Sequence, residues 1–257
     1  MVARIAGRAR AAARAAGFAG WTAAMLAGVE LAERAAPPEA RRQVFEEWMR
    51  RWSRGLLRLF GVALRTRGEA RPAARGAARL VVSNHRSPID IAALLSVFGG
   101  HVLSRADLAE WPIVGRAARK ADTIFVDRDS RASGASAVRA IRARLRAGGT
   151  VTVFPEGTTF AGDEVRPLRG GAFVAARGID VELLPVGLAY EAGTEFVEDS
   201  FLDYLARIAA RPRLCVGLAV GTPRRARGTV EEMAAEMQRE VQALVGEARA
   251  LVACDLG

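Results

Sequence analysis

From Leu80 to Val252 the chain alternates short β-rich runs with helical stretches, and this alternation restricts the fold more than any other feature. The β-rich runs are LVVS from Leu80, HVLS from His101, TIFV from Thr123, TVTVF from Thr150, VELLPVGLAY from Val181 and LCVGLAV from Leu214. Helical stretches fall between them: Pro88 to about Val97, near Pro112 to Lys120, Ala135 to Ala147, a short piece after Gly171, and a closing helix from Val230 to Val252. In the third of these Val138, Ile141 and Leu145 share one face. Such alternation predicts an α/β fold, with a mainly parallel sheet flanked by helices. Hydrophobic residues make up 51% of the 257, enough for a large core.

The segment before Leu80 has a different character. Residues 17–29, GFAGWTAAMLAGV, carry no charge. A spanning helix usually needs about 20 apolar residues. Here Arg4, Arg8, Arg10 and Arg14 precede the run, and Glu30 and Glu33 close it. A signal peptide shares that layout, but the next segment also looks membrane-directed, which favours a helix lying in, or dipping into, one leaflet.

Pro37 and Pro38 break the chain, and a second helix is expected over Val44 to Leu64. Phe45, Trp48, Met49, Trp52, Leu56, Leu59, Phe60 and Ala63 recur at steps of three and four along it. Arg50, Arg51, Arg54 and Arg58 fall mostly on the opposite side. That division reads as a helix at a membrane interface; an ordinary amphipathic helix packed on the domain is the alternative. Residues 1–68 hold 13 Arg against 5 acidic residues, a net +8 of the chain's +10. The basic character therefore belongs to the N-terminal quarter and suits an anionic surface. Nucleic acid is disfavoured, because the aromatics form an apolar stripe and do not interleave with the arginines. The expected division is residues 1–64 as membrane-associating helices and 65–257 as the α/β domain. Cys215 and Cys254 lack metal-ligand spacing and read as two buried thiols in a reducing compartment.

Three strand ends carry polar groups. In LVVSNHRSPID, one of only two histidines, His85, sits between a strand and a helix start. Ser87, Pro88 and Asp90 suit the N-cap, first and third helical positions. Asp90, five residues after His85, can fold back onto the imidazole, fix its tautomer and leave the other nitrogen as a general base. Equally, Asp90 can serve only as a cap. No G-x-S-x-G elbow is present, so a histidine base implies direct attack by a substrate hydroxyl or by water. In TVTVFPEGTTF, Gly157 permits close backbone approach and the threonines offer donors to an anion; a plain strand-to-turn junction reads the same. In TIFVDRDS a strand delivers Asp127 and Arg128, either a surface ion pair or an arginine able to grip phosphate bidentately.

Together, NHRSPID, TIFVDR, FPEGTTF and LLPVGL follow the order and spacing of the four sequence blocks of the glycerolipid acyltransferases. Between about Leu80 and Tyr190 the chain resembles the 1-acyl-sn-glycerol-3-phosphate acyltransferase branch of that family. The resemblance implies transfer of a fatty acyl group from acyl-CoA or acyl carrier protein to the free hydroxyl of a lysophospholipid, giving phosphatidic acid. By the same resemblance His85 is the base, Asp90 its orienting acid, and Arg128 the ligand of the acceptor phosphate. Glu156, Gly157 and Thr158 match the block that holds the glycerol phosphate, and Pro185 lies in the block on the donor side. Many relatives have lysine where LSRADL places Arg105, so the acceptor headgroup is open to change. No metal and no bound cofactor are implied. The enzyme is expected at the cytoplasmic face of a membrane. The rivals are an acyltransferase for another lysolipid such as lyso-ornithine lipid, a hydrolase, and a lipid-binding protein without turnover.

Overall fold

The computed structural model describes residues 2–69, 77–105, 115, 123–126, 130–197 and 200–253. Apart from residue 115, the expected helix near Pro112 to Lys120 lies outside them, as does Cys254. Eight strands among the described residues form one sheet: β1 (Val62–Arg67), β2 (Ala78–Ser83), β3 (His101–Arg105), β4 (Ile124–Val126), β5 (Thr150–Val153), β6 (Val181–Tyr190), β7 (Leu214–Val220) and β8 (Arg224–Arg225). Their order is β1-β7-β6-β2-β5-β3-β4, with β8 paired to β6. All pairings are parallel except β6 with β7 and with β8.

Central strand β2 explains why the runs are apolar throughout. Leu80, Val81 and Val82 are fully buried, so both faces of the sheet are covered. Leu80 and Val82 point into one core, packed with Ile141 and Leu145 of α4 (Arg131–Arg146), Phe173 of α5 (Gly171–Ala176) and Met237 and Val241 of α7 (Val230–Ala253). Val81 points into the other, against Leu94 and Phe98 of α3 (Ile89–Phe98) and Tyr204 and Ile208 of α6 (Phe201–Ala210). Each such side chain contributes about 1.5–3 kcal/mol on full burial. Helix α6 was not anticipated from the sequence, although Phe201, Tyr204, Leu205 and Ile208 recur at helical spacing behind the Ser200 cap.

The N-terminal helices are α1 (Val2–Ala35) and α2 (Arg41–Leu59), separated by a 3-10 turn at Pro38–Ala40. The helix expected to reach Leu64 ends at Leu59. Gly61 stops it by adopting φ 69°, a region open to glycine, and Val62 to Leu64 begin β1 against β7. The tryptophans of α2 turn largely towards α1. Trp52 donates its indole N–H to Thr22 Oγ1 at 3.2 Å, and Trp21 donates to Trp52 O at 3.0 Å. Trp48 lies so close over Gly28 that a Cβ there would meet its ring at 2.3 Å.

Several arginines of this quarter also turn inwards. Arg14 donates to the carbonyls of Ala209, Arg211 and Pro212 at 3.1, 2.5 and 3.3 Å, and Arg10 donates to Ala210 O at 2.7 Å. They satisfy the unpaired carbonyls at the negative end of α6. Arg50 and Arg54 do the same for α3, donating to Phe98 O at 3.0 Å and Ser96 O at 3.2 Å. Part of the +8 therefore docks helices. By length and composition Arg4–Ala35 is apolar enough to cross a membrane, and only 17% of its most apolar window is buried by the protein. Ile5 and Leu31 on it are 60% and 70% exposed.

Candidate active site

Strands β2, β5 and β6 lie side by side and parallel at the middle of the sheet. The loops after their carboxyl ends converge, where open α/β sheets place ligands. The loop after β2 carries Asn84 to Pro88. The buried Asn84 side chain pins it by accepting from Leu188 N at 2.8 Å and donating to Leu188 O at 2.9 Å.

His85 Nδ1 lies 2.7 Å from Asp90 Oδ2. The Asp90 side chain is fully buried, whereas that of His85 is 12% exposed. The same oxygen accepts the backbone N–H groups of Arg86 at 2.6 Å and Ser87 at 2.9 Å. Asp90 thus reaches back over the helix start as a cap residue does, and also holds the imidazole; the two roles offered by the sequence coexist. A carboxylate has no proton to give, so in the neutral imidazole Nδ1 carries the hydrogen and Nε2 the lone pair. Phe154, at the end of β5, stacks on the imidazole at a centroid distance of 4.1 Å and an interplanar angle of 13°.

The turn after β5 divides into an inner and an outer part. Glu156 points inwards with its side chain fully buried. It accepts the His85 backbone N–H at 2.6 Å, the Arg166 backbone N–H at 2.9 Å and the Arg86 guanidinium at 3.0 and 3.3 Å. Arg86 is itself buried, and also donates to Gly162 O at 2.6 Å and Glu164 O at 2.7 Å. Both Glu156 oxygens are occupied, and a carboxylate repels anions. Its geometry is that of a brace between two loops, unlike the acceptor-holding role given by the sequence blocks. Gly157 and Thr158 lie further out. Gly157 has φ 84°, and a Cβ there would lie 2.6 Å from Nε of Arg169. The exposed Arg169 guanidinium therefore rests on this turn, and among the described residues no ion pair engages it.

Arg105 ends β3 in register with Val126 of β4. Arg128 lies outside the described residues. Pro185 sits within β6, opposite Val82. Sequence reasoning passed over Phe154, Arg86, Arg169 and Tyr190. Tyr190, which ends β6, donates its hydroxyl to Asp90 Oδ1 at 2.5 Å. The signal for it was rarity: the chain has two tyrosines, and the second, Tyr204, has its hydroxyl 2.5 Å from Ser87 Oγ. Burial, then the nearby Asp90 charge, pushes the Tyr190 phenol well above its ordinary value, so it stays a donor.

A family profile described as Acyltransferase matches residues 64–189. The 1-acyl-sn-glycerol-3-phosphate acyltransferase of Neisseria gonorrhoeae is 31% identical over 126 residues, 48% of this chain and 49% of that protein. The match thus spans about half the length of that relative. The lyso-ornithine lipid O-acyltransferase of Pseudomonas aeruginosa is 32% identical over 178 residues, 66% of this chain and 69% of that protein. Among solved structures, the 1-acyl-sn-glycerophosphate (LPA) acyltransferase PlsC of Thermotoga maritima superposes with a TM-score of 0.68 at 21% identity, covering 87% of this chain and 88% of that one. At that identity the likeness concerns the fold.

Proposed function

This chain belongs to the acyltransferase family, and from that premise we propose that it moves a fatty acyl group from acyl-CoA or acyl carrier protein to the free hydroxyl of 1-acyl-sn-glycerol 3-phosphate. The observation that supports this most directly is the 2.7 Å bond between His85 Nδ1 and the buried Asp90. It leaves Nε2 as a base on a partly exposed imidazole. In the proposed reaction Nε2 takes the proton as the acceptor oxygen attacks the thioester carbonyl carbon. Asp90 stabilises the imidazolium. The C–S bond breaks, the proton passes to the departing sulfur, and no acyl-enzyme forms.

Arg169, together with Arg105 and Arg128, supplies positive charge for the acceptor headgroup, with Gly157 and Thr158 forming the surface beneath it. Helix α1, with its apolar exposed face, keeps the site at a membrane, at its cytoplasmic face, where the lysolipid resides. A second acceptor is favoured by a specific observation: a lyso-ornithine lipid acyltransferase aligns over more of this chain than does the Neisseria relative. The test is thiol release from acyl-CoA, and separately from acylated acyl carrier protein, by the full-length protein in mixed micelles. Lysophosphatidic acid, lyso-ornithine lipid or no acceptor is added in turn. Release that depends on an acceptor supports transfer, and the faster acceptor identifies the substrate. Release without acceptor indicates a hydrolase, and no release under any condition contradicts the proposal.

A further inference from the structure

Asp90 receives its hydrogen bonds unevenly. Three donors, His85 Nδ1, Arg86 N and Ser87 N, converge on Oδ2. Oδ1 is held by the Tyr190 hydroxyl at 2.5 Å. A carboxylate with one loaded oxygen and one empty, buried oxygen has reason to rotate, because an unpaired acceptor away from water is costly. Rotation would take Oδ2 away from the imidazole. Tyr190 removes that reason.

Tyr190 is also well anchored. It is fully buried at the end of β6, and its carbonyl accepts from Arg249 of α7. Arg249 in turn grips Asp163 with two bonds of 2.6 and 2.8 Å. The tyrosine thus reaches the dyad from a different strand and is tied to the closing helix.

We infer that Tyr190 is a positioning residue for the His85–Asp90 pair: its hydroxyl fixes the Asp90 carboxylate so that Oδ2 stays on Nδ1 and Nε2 keeps its lone pair. The importance of this to catalysis rests on His85 being the base. The contact itself can be read without turnover.

The experiment is imidazole NMR on the full-length protein in micelles. The chain has two histidines, and a His101→Asn protein assigns the second. In the parent, His85 shows a single tautomer with a downfield Nδ1–H. In Tyr190→Phe that signature becomes a mixture or exchanges away. The turnover number falls on the order of 10-fold while KM for both substrates holds, as expected for loss of an alignment felt in the transition state. Tyr204→Phe, which loses its bonds to Ser87 Oγ and Thr194 O and none to Asp90, keeps the His85 tautomer.

A gentler change guards against misfolding. 3-Fluorotyrosine, introduced in the Tyr204→Phe background, makes Tyr190 a stronger donor at nearly the same size. It draws charge from Asp90 and moves the Nδ1–H resonance upfield. An unmoved resonance in the fluorinated protein, or an unchanged tautomer and turnover number in folded Tyr190→Phe, overturns the inference. Failure to release thiol with any acceptor would instead refute the proposed reaction and leave the tautomer result standing.

Discussion

The backbone N–H of His85 donates to the carboxylate of Glu156 at 2.6 Å, joining the loop after β2 to the turn after β5. The glutamate opposes a guanidinium, that of Arg86, and both side chains are almost fully buried. The first prediction is that Glu156→Gln destabilises the protein more than it weakens acceptor binding. Removing one partner of a buried ion pair costs on the order of 3–5 kcal/mol. A clearly lower melting temperature is expected, with KM for the lysolipid close to the parent's. An unchanged melting curve with a raised KM would return Glu156 to the acceptor site.

Arg169, resting on Gly157, should behave in the opposite way. Arg169→Ala is expected to weaken use of an anionic lysolipid by roughly 10- to 150-fold, the worth of a charge-assisted hydrogen bond. Residual thioester hydrolysis should be spared. Equal loss in both reactions would show that Arg169 serves the donor or the fold.

The N-terminal arginines divide into two classes. Arg14 is buried and binds the end of α6, so Arg14→Met should cost about 2 kcal/mol, as for a cation at a partly buried helix terminus. It should also expose α1 to protease. Arg51 and Arg58 are exposed. Reversing their charge should lower binding to anionic vesicles, with stability changed little. Flotation beside a melting curve measures both effects. The account of this quarter fails if Arg14→Met leaves stability untouched, or if charge reversal at Arg51 and Arg58 leaves flotation unchanged.

Glu46 of α2 provides a pH test. Burial raises its folded-state pKa above the usual carboxylate value, against the opposing pull of Arg42 and Arg50. An acid raised in this way penalises the folded state when ionised. The penalty is full above the raised folded value and vanishes below the ordinary value of about 4.3. Glu46→Gln should therefore raise the melting temperature at neutral pH, and the gain should shrink as pH falls through the folded value and disappear below the ordinary one. A gain that persists undiminished at low pH would point to packing as its source.

What the sequence revealed followed physical rules. Strands β2 to β7 were legible because continuous apolar runs such as Leu80 to Val82 have both faces covered. The pairing of His85 with Asp90 was legible because a carboxylate in the first turn of a helix reaches back over the preceding loop. Strand β1 was hidden, since Val62 to Leu64 continue the helical spacing of α2 until Gly61 is seen at positive φ. The tryptophan stripe looked membrane-directed because a helix partner and a bilayer demand the same apolar face. Tyr190 offered only its rarity as a signal and Arg249 offered none: they meet the site only through pairing of β6 with β2 and the packing of α7. Arg105 had only its strand, β3, to place it, and the Arg128 expectation falls outside the described residues.

The central claim is that His85 acts as the base, and acceptor-dependent thiol release by His85→Ala tests it most directly. Positioned general bases contribute roughly 10²–10⁴-fold. The full-length His85→Ala protein, melting at the parent's temperature, should release thiol from acyl-CoA in the presence of lysolipid slower than the parent by that factor. Near-parent release from a folded His85→Ala protein would contradict the account.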